Sequence, residues 1–300
     1  MSGLATAGAV GAMWMDGELV APGEATLPVL SFGLHNAICV FEGIRVHAGW
    51  PFAVAEHAER LHISAAAVGM SLPWSAEQIV AAIDTAVAAA GYAEAYVRPV
   101  AWRGAEMIGI DASGTSVHLA IGVIRWPAAA IPRQPLRLAL SQWRRPAPTM
   151  APTQAKTSAN YLVGSLALSQ ARGEGYDDAL LLDHHGYVAE ATGANIFLVR
   201  EGELVTPIAD TFLDGITRRT VLRLAERIGI PARVTRVTLE DLAAADEVFL
   251  TGTASGVAPV AQVAATTYPP ARPCTRALAD AYVELVHAHR PKEAPRIPSA

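Results

Sequence analysis

Hydrophobic periodicity divides this chain into stretches of two kinds. "HAERLHISAAAVGM" at 57–70 and "SAEQIVAAIDTAVAAAG" at 75–91 repeat apolar residues at helical spacing, and Ser75 stands where an N-cap belongs. "EAYVRPVAWRG" at 94–104 and "SVHLAIGVIRW" at 116–126 read as buried strands, and "MWMDGELV" at 13–20 as a strand and turn. "LPVLSFGLHNAICVFEGIRVHAGWPFAV" at 27–54 mixes short apolar runs with glycine turns.

The second half starts again with a strand, "LRLALSQW" at 136–143, and a helix, "SANYLVGSLALSQARGEG" at 158–175. "DDALLLDHHGYVAEATGANIFLVREGELVTP" at 177–207 reads as consecutive short strands with turns at 184–186 and 201–202. "LDGITRRTVLRLAERIGI" at 213–230 is a turn and an amphipathic helix, and "ADEVFLTGTASGVAPV" at 245–260 a strand ending in a Gly/Thr turn. Strands and helices do not alternate as βαβ units, so the pattern predicts an α+β fold. "PAAAIPRQP" at 127–135 holds three prolines in nine residues and is the best linker candidate. The expected organisation is a lead-in at 1–12, a small α/β domain at 13–126, a linker at 127–136, a large domain at 137–290 and a disordered tail at 291–300.

Composition narrows the picture. Three hundred residues at 52% apolar and 17% charged can bury a sizeable core. A net charge of −5 gives no footprint for nucleic acid or an anionic membrane. Two cysteines make no disulfide framework, which fits a reducing cytoplasm. The first residues have no basic start and no long apolar block, so they are read as a lead-in and not a signal peptide. No zinc-type Cys/His spacing occurs, and the pairs His57/His62, His184/His185 and His287/His289 are poor metal candidates.

Of 23 basic residues only two are lysine, Lys156 in "APTQAKTSANYLVG" and Lys292 near the end. Arginine stays protonated, whereas a desolvated lysine can act as nucleophile and base. Lys156 is therefore either a plain surface residue or a reactive amine of the Schiff-base kind. Two segments could cradle an anion: "DGITRRT", with Gly215, Ile216 and Thr217 at a helix start, and "TGTASG" at 251–256. Each taken alone reads first as ordinary capping or turn chemistry. Glu190 sits in an apolar strand stretch and needs a cationic partner, either a neighbouring side chain or a protonated pyridine nitrogen.

Seven motifs in order span about 40–260: "FEGIR" at 41–45, "RLHISA" at 60–65, "YVRP" at 96–99, "AKTSANYL" at 155–162, "GYVAEATGANIF" at 186–197, "LDGITR" at 213–218 and "ADEVFLTGTA" at 245–254. With them the chain resembles the class IV, fold-type IV (D-amino acid aminotransferase-like) pyridoxal-phosphate enzymes, and among these the branched-chain amino acid aminotransferases. The resemblance implies an α+β fold of two domains with pyridoxal 5'-phosphate between them. It implies Lys156 as the Schiff-base and proton-shuttling residue, Glu190 on the pyridinium nitrogen and Tyr161 on the phenolic oxygen. Arg60 would hold the phosphate with Ile216, Thr217 and Thr253, and Leu213 would pack against the ring. Tyr96, Arg98, Thr253 and Ala254 would face substrate carboxylates, and Phe41 and Trp126 would line the substrate pocket. The partners implied are an L-amino acid, a 2-oxo acid and a second copy of the chain in a homodimer or higher oligomer, with the loop at 34–41 helping to close the neighbouring site.

The chain departs from that pattern at the substrate. Asn36 and Ala129 stand where the branched-chain enzymes usually or often carry tyrosine, Ala194 replaces a usual Glu, and Ser255 and Gly256 replace Ala and Glu. The amino donor therefore need not be glutamate, and the pocket could take a bulkier side chain. Other readings are a D-amino acid or (R)-amine transaminase or an aminodeoxychorismate lyase of the same fold, a non-catalytic binding protein, and a metalloenzyme.

Overall fold

The computed structural model describes residues 10–126 and 134–288. Ala129, most of the expected linker, the start of the lead-in and the tail at 291–300 lie outside the described residues. The described chain divides into two compact units. One comprises residues 10–126, 155–159 and 286–288, the other 134–154 and 160–285. Among the described residues no helix is long and apolar enough to cross a membrane.

The first unit carries strands β1 (Val10–Met15), β2 (Glu18–Val20), β3 (Cys39–Phe41), β4 (Ile44–His47), β5 (Trp50–Pro51), β6 (Glu94–Arg103) and β7 (Val117–Arg125). They form a seven-stranded sheet in the order β2-β1-β7-β6-β4-β5, with β3 also on β6. A short helix α1 (Phe32–His35) precedes β3, and α2 (Val54–Ala67) and α3 (Ala76–Ala90) follow β5. Ile79, Ile83 and Val87 of α3 and Leu61 of α2 join Val97, Leu119 and Ile121 in one core. The expected capping of α3 is present: Gln78 N–H donates to Ser75 Oγ, and Ser75 N–H donates to the Gln78 amide oxygen. Gly91, left-handed at φ 64°, ends the helix.

The second unit holds β8 (Leu136–Arg145), α4 (Tyr161–Gly173), β9 (Asp178–Asp183), β10 (Val188–Ala191), β11 (Asn195–Arg200) and β12 (Glu203–Pro207). It continues with α5 (Ile216–Arg227), β13 (Ala232–Thr235), α6 (Leu239–Ala243), β14 (Glu247–Gly252), β15 (Gly256–Val263), β16 (Thr266–Thr267) and α7 (Pro273–Ala288), whose residues from 286 on group with the first unit. The sheet runs β10-β9-β8-β15-β14-β11-β12-β13, and β10 pairs with β11 as well, closing six strands into a ring. The closing pair is Glu190 opposite Asn195. Ring closure leaves those strands no free edge. Buried Leu138, Leu180, Ile196, Leu250 and Val260 fill a core of this unit.

Candidate active site

Residues 155–159 stand apart in sequence from the rest of the first unit, and backbone pairing holds them there. Val40 and Thr157 form an antiparallel bridge. Phe41 N–H donates to the Lys156 carbonyl at 3.0 Å, Lys156 N–H donates to Ser64 Oγ on α2 at 3.0 Å, and Thr157 Oγ1 donates to the Cys39 carbonyl at 2.8 Å. Lys156 is therefore fixed at its backbone by β3 on one side and α2 on the other. Its Nζ lies 4.7 Å from the centre of the Phe41 ring, and the Arg98 guanidinium lies 4.7 Å from the same ring.

Period-2 alternation on β6 buries Ala95 and Val97 in the core and turns Tyr96 and Arg98 to the other face. Arg98 Nη2 donates to Tyr96 Oη at 3.2 Å, Tyr96 stacks on Trp126 at 5.0 Å, and Arg45 lies 5.0 Å over Trp126. Gly43 makes room for this row, because a Cβ there would overlap Tyr96 Oη. Phe41, Tyr96, Arg98, Trp126 and Lys156, all expected site residues, thus form one connected surface of aromatic rings and cations. Asn36 caps α1 through its backbone, with its N–H on the Phe32 carbonyl at 3.2 Å.

Arg60 sits on α2 one turn before Ser64. Its Nε and Nη2 donate to the two oxygens of Glu42, each at 2.7 Å, and His57 Nδ1 lies 2.7 Å from Glu42 Oε2. Burial pushes the Glu42 carboxyl up, but Arg60 and then His57 outweigh it and bring it down to about 2. Burial holds His57 below its ordinary range, and its Nδ1 lies against Glu42 Oε2. His57 is a satisfied core histidine, and His35 contacts the Ser31 carbonyl at 2.8 Å. Among the described residues no group of three or more His, Cys, Asp or Glu side chains could hold a metal ion.

In the second unit, buried Glu190 meets Arg145 Nε at 2.9 Å through Oε1 and Asn195 Nδ2 at 3.2 Å through Oε2. Asn195 Nδ2 also donates to the Leu213 carbonyl at 3.0 Å, and Gly215 N–H donates to Asn195 Oδ1 at 3.1 Å. Gly215 is the N-cap of α5 and supplies no capping side chain, so the first-turn N–H groups, Ile216 and Thr217 among them, can bind an anion. Thr253 and Ala254 form the turn between β14 and β15, just beyond Thr251, which pairs with Asn195. Tyr161 opens α4. Glu190, Leu213, Ile216 and Thr217 are thus linked through a residue, Asn195, that had no expected role. Arg145, Glu42 and Ser64 were also outside the expected set. The signal for Glu42 and Asn195 was a polar side chain in an apolar stretch, which needs a partner once buried.

The family Amino-transferase class IV matches residues 39–263. The chain belongs to the class IV aminotransferases. A branched-chain-amino-acid aminotransferase of Pseudomonas aeruginosa is 37% identical over 285 residues, covering 92% of this chain and 93% of that protein. A probable branched-chain-amino-acid aminotransferase of Rickettsia bellii is 40% identical over 248 residues, covering 81% and 83%. Among solved structures, the branched-chain aminotransferase of Thermoproteus uzoniensis with norvaline superposes with TM-score 0.90 at 36% identity, over 93% of this chain and 95% of that one. The branched-chain amino acid aminotransferase of Escherichia coli gives TM-score 0.88 at 33% identity, over 94% and 96%. A further branched-chain amino acid aminotransferase, complexed with N-(5'-phosphopyridoxyl)-L-glutamate, gives TM-score 0.89 at 38% identity, over 94% and 96%. As a class IV aminotransferase the chain is an enzyme, with the α+β fold expected.

Proposed function

We propose that this class IV aminotransferase moves an amino group between an apolar L-amino acid of the branched-chain type and a 2-oxo acid, using pyridoxal 5'-phosphate. The placement of Lys156 carries the reading: the only lysine among the described residues is clamped at its backbone by Phe41 and Ser64 and extends its amine over the Phe41 ring. The donor set suits the cofactor. Uncapped N–H groups at the start of α5 suit a phosphate, buried Glu190 suits a protonated ring nitrogen, and Lys156 offers a primary amine.

When bound, the cofactor supplies a ring that delocalises negative charge from the substrate α-carbon. Lys156 Nζ would anchor the cofactor and, once released, would carry a proton between the substrate α-carbon and the cofactor's C4′ carbon. Glu190 holds the ring nitrogen protonated, and Tyr161 donates to the ring's phenolic oxygen. Arg60, the Ile216 N–H, the N–H and hydroxyl of Thr217, and Thr253 hold the phosphate, and Leu213 packs on the ring. Arg98 with Tyr96, and the turn at Thr253 and Ala254, receive the substrate carboxylates; Phe41 and Trp126 receive the side chain. Asn36 and Ala129 stand where related enzymes usually or often carry tyrosine, so the amino donor need not be glutamate.

Titrating L-leucine into the yellow holoenzyme tests this: the visible band collapses as the amino group is taken up, and D-leucine leaves it in place. Lys156→Ala lowers turnover by about 10⁶-fold, the scale for removing a catalytic nucleophile. A band unmoved by any apolar L-amino acid, or turnover retained in that variant, sinks the reading.

A homodimer or higher oligomer belongs to the same proposal. Val29, Leu30 and Leu34 are 58–75% exposed, and Ile108 and Ile110 are 83% and 88% exposed. The two segments are neighbours, since Phe32 N–H donates to the Gly104 carbonyl at 2.9 Å. A second copy covering this apolar surface accounts for it. Light scattering of the purified protein checks the state, and a mass of one 31.5 kDa chain would refute it. Cytoplasmic location fits the free thiols of Cys39 and Cys274, and fractionation of expressing cells tests it.

A further inference from the structure

Asn195 opens β11, is 5% exposed, and makes three hydrogen bonds to three different segments. Nδ2 donates to Glu190 Oε2 at 3.2 Å and to the Leu213 carbonyl at 3.0 Å, and Oδ1 accepts from Gly215 N–H at 3.1 Å. Both donor protons and one lone pair of the amide are committed. The approach to Gly215 is close enough to require glycine, because a Cβ there would overlap Asn195 Oδ1. Glu190 and Asn195 are also the pair through which β10 and β11 close the ring of strands, and the Ala191 N–H to Ala194 carbonyl bond at 2.8 Å tightens the turn between them.

We propose that Asn195 is a positioning residue that fixes the direction of the Glu190 carboxylate and the start of α5 together. It would thereby place the ring-nitrogen partner and the phosphate donors of the cofactor site in one rigid geometry. The proposal rests on the roles given above to Glu190 and α5. A Glu side chain has three torsions, and Arg145 at 2.9 Å pulls on one of its oxygens. Arginine prefers to take both oxygens of a carboxylate in its fork. Asn195 opposes that by donating to the other oxygen. The same amide anchors Gly215, so a shift at the ring end is transmitted to the phosphate end. A neutral amide does this without adding a charge beside either group, which aspartate could not.

The experiment compares Asn195→Ala with Glu190→Gln and Thr217→Val in holoenzyme and in protein stripped of cofactor. Three quantities are read: the pH titration of the cofactor's visible band, the affinity ratio for pyridoxal phosphate against pyridoxal, and the melting temperature. Asn195→Ala should move the titration by about half a unit in the same direction as Glu190→Gln, a differential interaction at the low end of the scale of one lost hydrogen bond. It should also lower the phosphate preference about tenfold, as Thr217→Val does. Glu190→Gln should move the titration alone. Should Asn195→Ala fail to accumulate, Asn195→Ser, whose hydroxyl cannot reach both ends, is read in the same way. A wild-type titration and ratio with only a lowered melting temperature would reduce Asn195 to a structural residue and overturn the proposal, as would movement of one readout without the other. An unmoved band in Glu190→Gln, or an unmoved ratio in Thr217→Val, overturns instead the role given to that residue, and the joint proposal with it.

Discussion

Two buried glutamates, one in each unit, are held in different ways. Glu42 is fully buried and takes two arginine bonds and one histidine bond, all at 2.7 Å. Glu190 is 7% exposed, and its contacts to Arg145 and Asn195 are longer, at 2.9 and 3.2 Å. Short charge-assisted bonds on both oxygens commit Glu42 to Arg60. A carboxylate in that state has little left to offer a ligand, but it fixes the guanidinium that it holds. Glu190 has the Arg145 cation against one oxygen and a neutral amide on the other, both at longer distances than those at Glu42. Placing an anion in a protein interior does not by itself mark a binding residue; under the proposed function, the charge and length of the contacts separate Glu190 from Glu42.

The sharpest way to break the comparison is to neutralise each carboxylate in turn. Glu42→Gln leaves Arg60 buried beside a neutral amide and should cost about 3–5 kcal/mol of stability. Glu190→Gln keeps a hydrogen-bonding shape beside Arg145, so it should cost less stability and show its main effect in turnover. Melting curves and steady-state rates on both variants decide it. Equal losses of stability would erase the distinction.

What the sequence revealed was local. The Ser75 N-cap, the helical spacing over 75–91 and the strand at 94–104 are written within a few residues, and a helix and a strand stand there. The motifs that carry the family resemblance were legible as short strings. The groups that hold them were not, because their partners are distant along the chain: Lys156 with Phe41 and Ser64, and Asn195 with Gly215. Arg60 and Glu42 were each inside a quoted motif, yet only the fold joins them, since the strand that carries residues 39–41 and the helix that carries Arg60 must first pack. Sequence alone also set Lys156 in the expected large domain at 137–290, whereas its contacts group residues 155–159 with the first unit. That grouping depends on the Val40–Thr157 bridge, which no local pattern announces.

Acid should act on the first unit through Glu42. Its folded pKa, about 2, lies below the ordinary 4.5, so the folded state binds fewer protons between those values. The stabilisation is present above pH 4.5 and is lost as pH falls through 2. The shift is worth about 3 kcal/mol. Urea midpoints measured from pH 6 down to pH 2 should fall across that window in the native protein and change less in Glu42→Gln. A flat native profile would show that Arg60 does not hold Glu42 ionised.

The smallest effect comes from a third buried glutamate that sharpens the contrast. Glu247 opens β14 and accepts from Cys274 N–H at 3.0 Å and from Thr275 N–H and Oγ1, each at 2.7 Å. Pro273 starts α7, so these N–H groups belong to its first turn, where the helix dipole favours an anion. Glu247 thus meets only backbone and hydroxyl donors, with no cation among them, and caps a helix. Glu247→Gln keeps one accepting oxygen and loses the charge, which should cost about 1–2 kcal/mol and leave turnover per folded molecule unchanged. A fall in turnover matching that of Glu190→Gln would mean that loosening any buried carboxylate in this unit disturbs the site, and bond number and charge would no longer tell a cap from a binding group.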